Sequence, residues 1–279
     1  MEAINIKYRK WYEGFAPRSI KLQIPGWSGE QNQHVSGDKP QPWHCIPFVE
    51  ASTYGLELLY SFNTECHVKL IDGKINFIGD FSNENKNIPK NLLPPFSSFA
   101  PGHFGTTSCL DIEVPEGYIV RVEPHPCYYT DETNTVPLAI PGHLNTSMWP
   151  KIFFIVFKNP LPGQTLIFKK GEPIAQILIL PRKISYDIME MTQQEKERRN
   201  FTEESIEKSH KKFVTNDWFD YLGHNFDDKY KILNNVFVKK GKKGVQEFLE
   251  NVSEKIRLKS SCKVKRKLII KKKGKNEII

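Results

Sequence analysis

Three of the eight histidines stand in short segments that proline or glycine stiffens, namely Pro101-Gly102-His103, Glu123-Pro124-His125-Pro126 and Pro141-Gly142-His143. Because proline fixes φ, we expect these histidines on rigid loops at strand ends and not in mid-strand. Rigid loops on a β scaffold are common places for binding and catalytic groups. Imidazoles held in this way can move protons or bind a metal ion near neutral pH.

Two carboxylates lie close enough to His125 in the chain to orient its ring. Glu123 precedes it by two residues and Asp131 follows it by six. His125, Glu123 and Asp131 are therefore the candidate catalytic residues of an enzyme pocket. Arg121 shares a strand face with Glu123, where it either neutralises that carboxylate or holds an anionic ligand.

A wider set of polar and aromatic residues near these loops forms the predicted ligand-binding site. The aromatic rings there either pack in the core or stack on a base, sugar or aromatic ligand. The candidate ligand-binding residues are His44, His103, Arg121, Tyr129, His143 and Trp149.

A divalent metal ion is a further hypothesis for the same histidines. His103, His125 and His143 are its candidate ligands, together with a carboxylate. The HxH or HxD spacing of cupins and iron oxygenases is absent, and loop histidines commonly just hydrogen-bond the backbone. The metal site and the backbone role both stay open at this point.

Other kinds of catalytic site have little support in the sequence. There is no GxSxG motif, no P-loop and no GxGxxG. Cys127 lies beside His125 in the chain, but neighbouring residues on a strand rarely face each other. We therefore do not expect a Cys–His pair.

The net charge of +8 is concentrated at the C-terminus. Residues 259–279 contain nine Lys or Arg and one acidic residue, which leaves 31 basic and 31 acidic residues in 1–258 out of totals of 40 and 32. The basic tail has few apolar residues and no interleaved aromatic residues, so we predict a disordered, solvated segment. Non-specific binding of nucleic acid through this tail is the alternative.

The cysteines and the apolar segments indicate a cytoplasmic protein. The five cysteines are an odd number, are widely spaced and form no CxxC pair, as expected for reduced and mostly buried thiols. No apolar run approaches the length of a membrane helix, and the N-terminus lacks the apolar core of a signal peptide. We expect no membrane span.

Short strand-like runs with turn residues between them predict a mainly β body, a distorted β-clip-like barrel, followed by a helical extension. Asp72-Gly73 between two alternating segments predicts a type I′ hairpin, and Ile46–Glu50 has the length and apolar character of a strand. Thr192 with Glu195 forms a capping box at the start of a helix. The predicted divisions are 1–20 (lead-in), 21–188 (barrel), 189–258 (helical extension) and 259–279 (basic tail).

Several phrases of the chain resemble an uncharacterised protein family of bacteria and phages, a domain of unknown function. These phrases are PWHCIPF (42–48), TYGLEL (53–58), TECHV (64–68), FAPGHFG (99–105), EPHP (123–126), YTD (129–131) and WPKIFF (149–154). The likeness covers roughly residues 20–192. It implies a phage-related protein and supplies no activity.

A looser resemblance concerns the fold. The segments IEVPEGYIVRV (112–122), 152–159 and KGEPIAQI (170–177) are similar in order and spacing to strands of dUTPases, whose β-clip barrel the dCTP deaminases share. Two departures from the family pattern stand out. Glu123-Pro124-His125-Pro126 replaces the phosphate-binding Arg-Ser-Gly, and Gly142-His143-Leu144-Asn145 replaces the water-activating Asp and its Tyr-Arg-Gly turn. The resemblance therefore implies a dUTPase-like fold without dUTP hydrolysis.

Two functions stay open on the sequence. The first is a soluble ligand-binding or interaction barrel of bacterial or phage type, with a small molecule or a protein as partner. The second is an enzyme, metal-dependent or acting on nucleotides, with a His/Glu/Asp pocket at the mouth of the barrel.

Overall fold

A computed structural model describes residues 3–11, 14–21, 46–87, 94–129, 131, 133–215, 217–219 and 222–273, without the side chains of 48, 210, 218, 226 and 253–273. The chain divides into two compact units. The first holds the described residues of Met1–Asn32 and Pro47–Ser185, and the second holds those of Gln33–Ile46 and Tyr186–Ile279. None of the described helices is both long and apolar enough to cross a membrane.

The first unit is mainly β. Its helical segments are α1 (Ile46–Ser52), α2 (Ser82–Asn87) and a 3-10 turn at Pro126–Tyr128. Its strands are β1 (Lys7–Lys10), β2 (Arg18–Ser19), β3 (Leu56–Leu59), β4 (Cys66–Ile71), β5 (Lys74–Ile78), β6 (Phe96–Ala100), β7 (His103–Thr107), β8 (Leu110–Glu113), β9 (Tyr118–Glu123), β10 (Gly142–Leu144), β11 (Phe154–Lys158), β12 (Thr165–Phe168) and β13 (Pro173–Pro181).

These strands form four sheets, and the predicted distorted, β-clip-like barrel is not confirmed. The central sheet has the order β10-β9-β13-β3-β2, and every pair in it is antiparallel. The other sheets have the orders β11-β7-β6, β12-β4-β5 and β1-β8. Within the described residues no sheet closes on itself. The strands β1 and β2 belong to the segment predicted as a lead-in, and their pairing with β8 and β3 makes that segment part of the first unit.

The core of the first unit lies between these sheets. Aromatic rings dominate it, with the Phe104 and Phe157 rings stacked at 5.3 Å and Phe168 edge-on to Phe157 at 5.3 Å. The strands contribute alternate residues to it, as a sheet with one solvated face requires. The thiols of Cys66 and Cys109 are free and buried in the same core.

The predicted hairpin is confirmed. β4 and β5 pair from His67↔Ile78 to Ile71↔Lys74, and Asp72 and Gly73 join them with φ values of 51° and 72°. Two consecutive positive φ values define the type I′ turn, whose twist matches that of the strands.

The strand predicted at Ile46–Glu50 is wrong, because these residues begin helix α1. Pro47 lies in the first turn of the helix, where its missing N–H costs nothing and its fixed φ favours the helical backbone. Gly55 lies between α1 and β3, has a φ of 86° and packs against β13. A methyl group at Gly55 would lie 2.5 Å from the Ile177 carbonyl oxygen, so the close approach requires glycine.

The second unit contains α3 (Gln193–Phe213), the strand pair β14 (Asp217–Phe219) and β15 (Asn225–Asp227), and α4 (Lys229–Lys273). The predicted capping box at the start of α3 is present. The Glu195 N–H donates to the Thr192 hydroxyl at 3.3 Å, and the Thr192 N–H donates to the Glu195 carboxylate at 2.9 Å.

Helix α4 is interrupted at Gly241, whose φ of 65° and ψ of −169° are not helical. Two helical segments therefore meet at this glycine. The structure continues the second segment to Lys273, whereas the sequence predicted a disordered tail from Lys259.

Candidate functional site

A row of four polar residues crosses the central sheet. Arg18 on β2 pairs with Glu57 on β3, Glu57 pairs with Gln176 on β13, and Gln176 pairs with Glu123 on β9. Residues that pair directly across antiparallel strands project to the same face. The next row along the strands, which includes Ile177, belongs to the hydrophobic core, so the polar row projects from the opposite face.

Glu57 is the buried centre of this row, with only 3% of its surface exposed. The Arg18 guanidinium donates to Oε1, and His125 Nε2 lies 3.2 Å from Oε2. Burial on its own would raise the pKa of the Glu57 carboxyl. The hydrogen bonds from His125 and Arg18 outweigh it, so this pKa lies below its ordinary value and Glu57 is an anion at neutral pH.

His125 is held from both ring nitrogens. It caps the 3-10 turn, and the Cys127 N–H donates to its Nδ1 at 3.3 Å while the Cys127 sulfur lies 2.7 Å from the same nitrogen. An Nδ1 that accepts the backbone N–H leaves the ring proton on Nε2, which then donates to Glu57. Arg18, Glu57, His125 and Cys127 thus form one chain of contacts, the buried network, which is centred on the buried Glu57–His125 pair and reaches the surface at Arg18.

Cys127 and His125 meet because the backbone is not extended there, which contradicts the expectation from strand geometry. The 3-10 turn brings residue 127 back over residue 125, and the Tyr128 hydroxyl fixes the turn by donating to the Pro173 carbonyl at 2.7 Å. His125 is therefore bonded to Glu57 on β3 and Tyr128 to Pro173 on β13, so the turn is fixed to the central sheet on both sides of Cys127.

The Cys127 thiol is not set up as a resting nucleophile. Burial raises its pKa to about 12, and the negative charges of Glu57, Glu172 and Asp131 act in the same direction. Reactive thiolates occupy electropositive surroundings, which is the opposite of this environment. The N–H groups of Tyr128 and Tyr129 bond within the turn, so neither is available to stabilise an oxyanion.

The Glu123 end of the polar row carries a second group, the outer patch of Arg121, Glu123, Tyr129 and His143. Arg121 Nε donates to Glu123 Oε1, and Arg121 Nη1 lies 3.5 Å from His143 Nε2 across the β9–β10 pair. The Arg121 side chain is 38% exposed and the Glu123 side chain is 19% exposed. Partial burial raises the pKa of the Tyr129 phenol, and so does the nearby Glu123 charge.

The other predicted site residues have different settings. Asp131 closes a turn by accepting from the Thr133 hydroxyl at 2.8 Å and from the Asn134 N–H at 3.1 Å. His103 Nδ1 lies 2.9 Å from the Pro101 carbonyl oxygen, which is the backbone role considered for loop histidines. The Lys151 ammonium lies 5.3 Å from the Trp149 ring, and His44 lies outside the described residues.

The three candidate metal ligands do not come together. His125 bonds Glu57 and Cys127, His143 faces Arg121, and His103 bonds the backbone. In the part of the chain that the structure describes, no three His, Cys, Asp or Glu side chains form a group that could hold a metal ion. The metal hypothesis gains nothing from this arrangement.

Sequence reasoning missed Glu57, Arg18, Gln176 and Cys127. One signal was available, because Glu57 is the single charged residue in the apolar run Leu56–Phe62. A carboxylate inside a strand of that kind is buried, and a buried carboxylate needs a partner. The identity of the partner depends on strand register, which no local pattern gives.

Comparison with known proteins leaves the family open. No family model matches the chain, and no curated protein matches it, so the resemblance to an uncharacterised bacterial and phage family gains no support. Among solved structures, the dUTPase of Staphylococcus bacteriophage 80alpha is 10% identical over 68% of this chain and 96% of its own, with a TM-score of 0.34. The dUTPase of phage phi11 of S. aureus is 10% identical over 68% of this chain and 96% of its own, with a TM-score of 0.35. This weak fold-level likeness carries no argument about function.

Proposed function

We propose that the first unit is a non-enzymatic binding module, in which the outer patch recognises the ligand and the buried network keeps the patch rigid. The observation that carries this proposal is the contrast between the centre of the polar row and its Glu123 end. The centre is buried and paired, at Glu57 with His125, whereas Glu123 and the neighbouring Arg121 are partly exposed. Buried polar groups that are fully paired support a binding site by fixing the residues around it.

The buried network fixes the outer patch through the chain as well as through the sheet. His125 follows Glu123 by two residues, and Tyr129 follows the 3-10 turn that His125 caps. Because Glu57 holds His125 and Pro173 holds Tyr128, the segment between Glu123 and Tyr129 is anchored at two points. A preorganised segment of this kind loses little entropy when it binds.

The chemistry of the outer patch favours a ligand edge with one donor and one acceptor, as an amide group has. The terminal nitrogens of Arg121 are donors, and Glu123 Oε2 is an acceptor that no described residue occupies. A purely anionic ligand fits less well, because Glu123 would repel it. Such an edge occurs on peptide groups and on small amides, so both a small molecule and a protein segment meet this requirement.

The test is a titration followed by backbone amide NMR, with acetamide, N-methylacetamide and acetate as probes. We expect acetamide to shift the resonances of Arg121, Glu123 and His143 at millimolar concentration, and acetate to do so less. In the double variant Arg121→Gln with Glu123→Gln, which keeps the net charge, the dissociation constant for acetamide should rise at least fivefold, as the loss of one or two hydrogen bonds implies. Acetamide shifts that are absent from this patch, or unchanged in the variant, would contradict the proposal.

A thiol enzyme is the second candidate, and one specific observation favours it. Cys127, His125 and Glu57 follow one another in the order of a nucleophile, a general base and an orienting carboxylate, at 2.7 and 3.2 Å. In such an enzyme the thiol proton would pass to Nδ1 as the sulfur attacks. The pKa of about 12 for Cys127 and the bonded N–H groups of the turn weigh against it.

Alkylation separates the two candidates. Iodoacetamide at pH 7.5 should modify Cys127 more slowly than it modifies glutathione if the thiol is structural. The Cys127 peptide is followed by mass spectrometry, since other cysteines also react. Modification of Cys127 that is faster than that of glutathione, and slowed by His125→Asn, would contradict a structural thiol and favour the thiol enzyme instead.

A further inference from the structure

The second unit carries a set of exposed cations that the first unit's binding site does not use. Four lysines surround the interruption of α4 at Gly241, and all four are exposed. They are Lys239, Lys240, Lys242 and Lys243. Among the residues that the structure describes, none of the four forms an ion pair.

A groove in the second unit adds to this surface. Its lining includes Lys196, Arg198 and Arg199 of α3 together with Lys242 of α4. Lys196 is paired with Glu190, but Arg198 and Arg199 form no ion pair with any described residue. Glu203 and Glu207 also line the groove, and Glu207 is paired with Lys229.

The same charge continues along α4. Between 255 and 273 the sequence has ten Lys or Arg and no Asp or Glu, and the helical backbone extends through this stretch. Lysine recurs at every fourth position from Lys255 to Lys271. Like charges spaced by four residues destabilise an isolated helix, so this helix is most stable when a polyanion lies against it.

We propose that the second unit binds the phosphate backbone of nucleic acid, with the lysines around Gly241 and the α3 groove as the docking surface and the rest of α4 as its extension. Unpaired exposed cations that follow one another along a helix suit a regularly spaced polyanion. Contacts to phosphate carry no sequence information directly, so we expect binding to be independent of sequence.

The experiment uses the full chain and a fluorescein-labelled duplex DNA of 20 base pairs, followed by anisotropy at several salt concentrations. The wild type should bind, with an affinity that falls steeply as salt rises. Changing the four lysines around Gly241 to glutamine should weaken binding at least tenfold and lower the salt slope by about 0.9 for each phosphate that the variant no longer neutralises. Changing Arg198 and Arg199 to glutamine should act in the same direction.

The matched control removes the same charge from the first unit, as Lys10→Gln, Lys21→Gln, Lys74→Gln and Lys158→Gln. All four of these lysines are exposed. If this variant loses as much affinity as the Gly241 variant, binding follows net charge alone and the proposed surface is wrong. Binding to vesicles with 30% phosphatidylserine but not to the duplex would also overturn the proposal, in favour of a membrane surface.

Discussion

His125 Nδ1 lies 2.7 Å from the Cys127 sulfur, although a single residue, Pro126, separates the two in the chain. The contact exists because Pro126 begins a 3-10 turn that His125 caps. It places the imidazole between a thiol and the Glu57 carboxylate, so one ring joins the turn to the central sheet.

Removing this ring should destabilise the first unit. In His125→Ala the Glu57 carboxylate loses one of its two partners while it stays buried, and the half-buried Cys127 N–H loses its acceptor. We expect a loss of about 3 kcal/mol in the free energy of unfolding, measured with urea. His67→Ala, whose side chain is 38% exposed beside Glu65, is the control and should change stability by less than about 0.5 kcal/mol. Equal effects of the two variants would show that the buried network does not stabilise the fold.

The lowered pKa of Glu57 predicts a loss of stability in acid. In the unfolded chain this carboxyl binds a proton near its ordinary pKa of 4.5, whereas in the folded protein it does so at a lower pH. The stabilisation is therefore present above pH 4.5 and is lost as the pH falls through the folded value. Glu57→Gln should remove this part of the pH dependence, seen as a shallower fall of stability between pH 5 and 3. A fall as steep as in the wild type would show that other carboxyls cause it.

The buried thiols predict a loss of stability in alkali. Burial raises the pKa of Cys66 and of Cys109 to about 12, against an ordinary value of 9.0. Between these values the unfolded chain loses protons that the folded protein keeps, so stability falls as pH rises. Changing both residues to alanine should reduce the slope by up to about 2.7 kcal/mol per pH unit, measured by urea unfolding under reducing conditions. An unchanged slope would assign the effect to other groups, such as the buried phenol of Tyr60.

The close approach at Gly55 predicts an unusually costly alanine. Gly55 has a φ of 86°, and an added methyl group would meet the Ile177 carbonyl oxygen of β13. Gly55→Ala should therefore cost more than about 2 kcal/mol, through both backbone strain and displacement of β3 from β13. Gly117→Ala is the matched control, because its φ is 88° and nothing lies within 4 Å of the added group. It should cost about 1 kcal/mol. Similar losses of stability at both positions would show that the contact with the Ile177 carbonyl oxygen adds nothing to the cost.

The sequence predicted the local features of this molecule well where a few adjacent residues determine them. The Asp72-Gly73 turn and the Thr192 capping box depend on neighbours in the chain, and both are present. The arrangement of the sheets was not predicted, because it depends on pairing between distant segments. Ile46–Glu50 was assigned to a strand from its apolar residues alone, and the effect of Pro47 on the first helical turn was overlooked.

The candidate site shows the same division. Arg121, Glu123 and His143 were expected together, and they meet because the first two share a strand face and the third pairs with Arg121 on β10. Glu57 was missed because 68 residues separate it from His125. Asp131 and His103 were expected at the site, but each satisfies a nearby backbone group first.

The order of strands in the central sheet has a consequence for the newly synthesised chain. Its middle strand, Pro173–Pro181, pairs with segments that begin at residues 56 and 118 and lies two strands from Arg18–Ser19 at the edge. While the polypeptide emerges from the ribosome, the strands that contain Glu57 and Glu123 therefore lack the strand that lies between them in the folded sheet. The central sheet can be completed only after residue 181 has left the exit tunnel. Its folding is therefore a long-range event, and unpaired strand edges stay exposed until then.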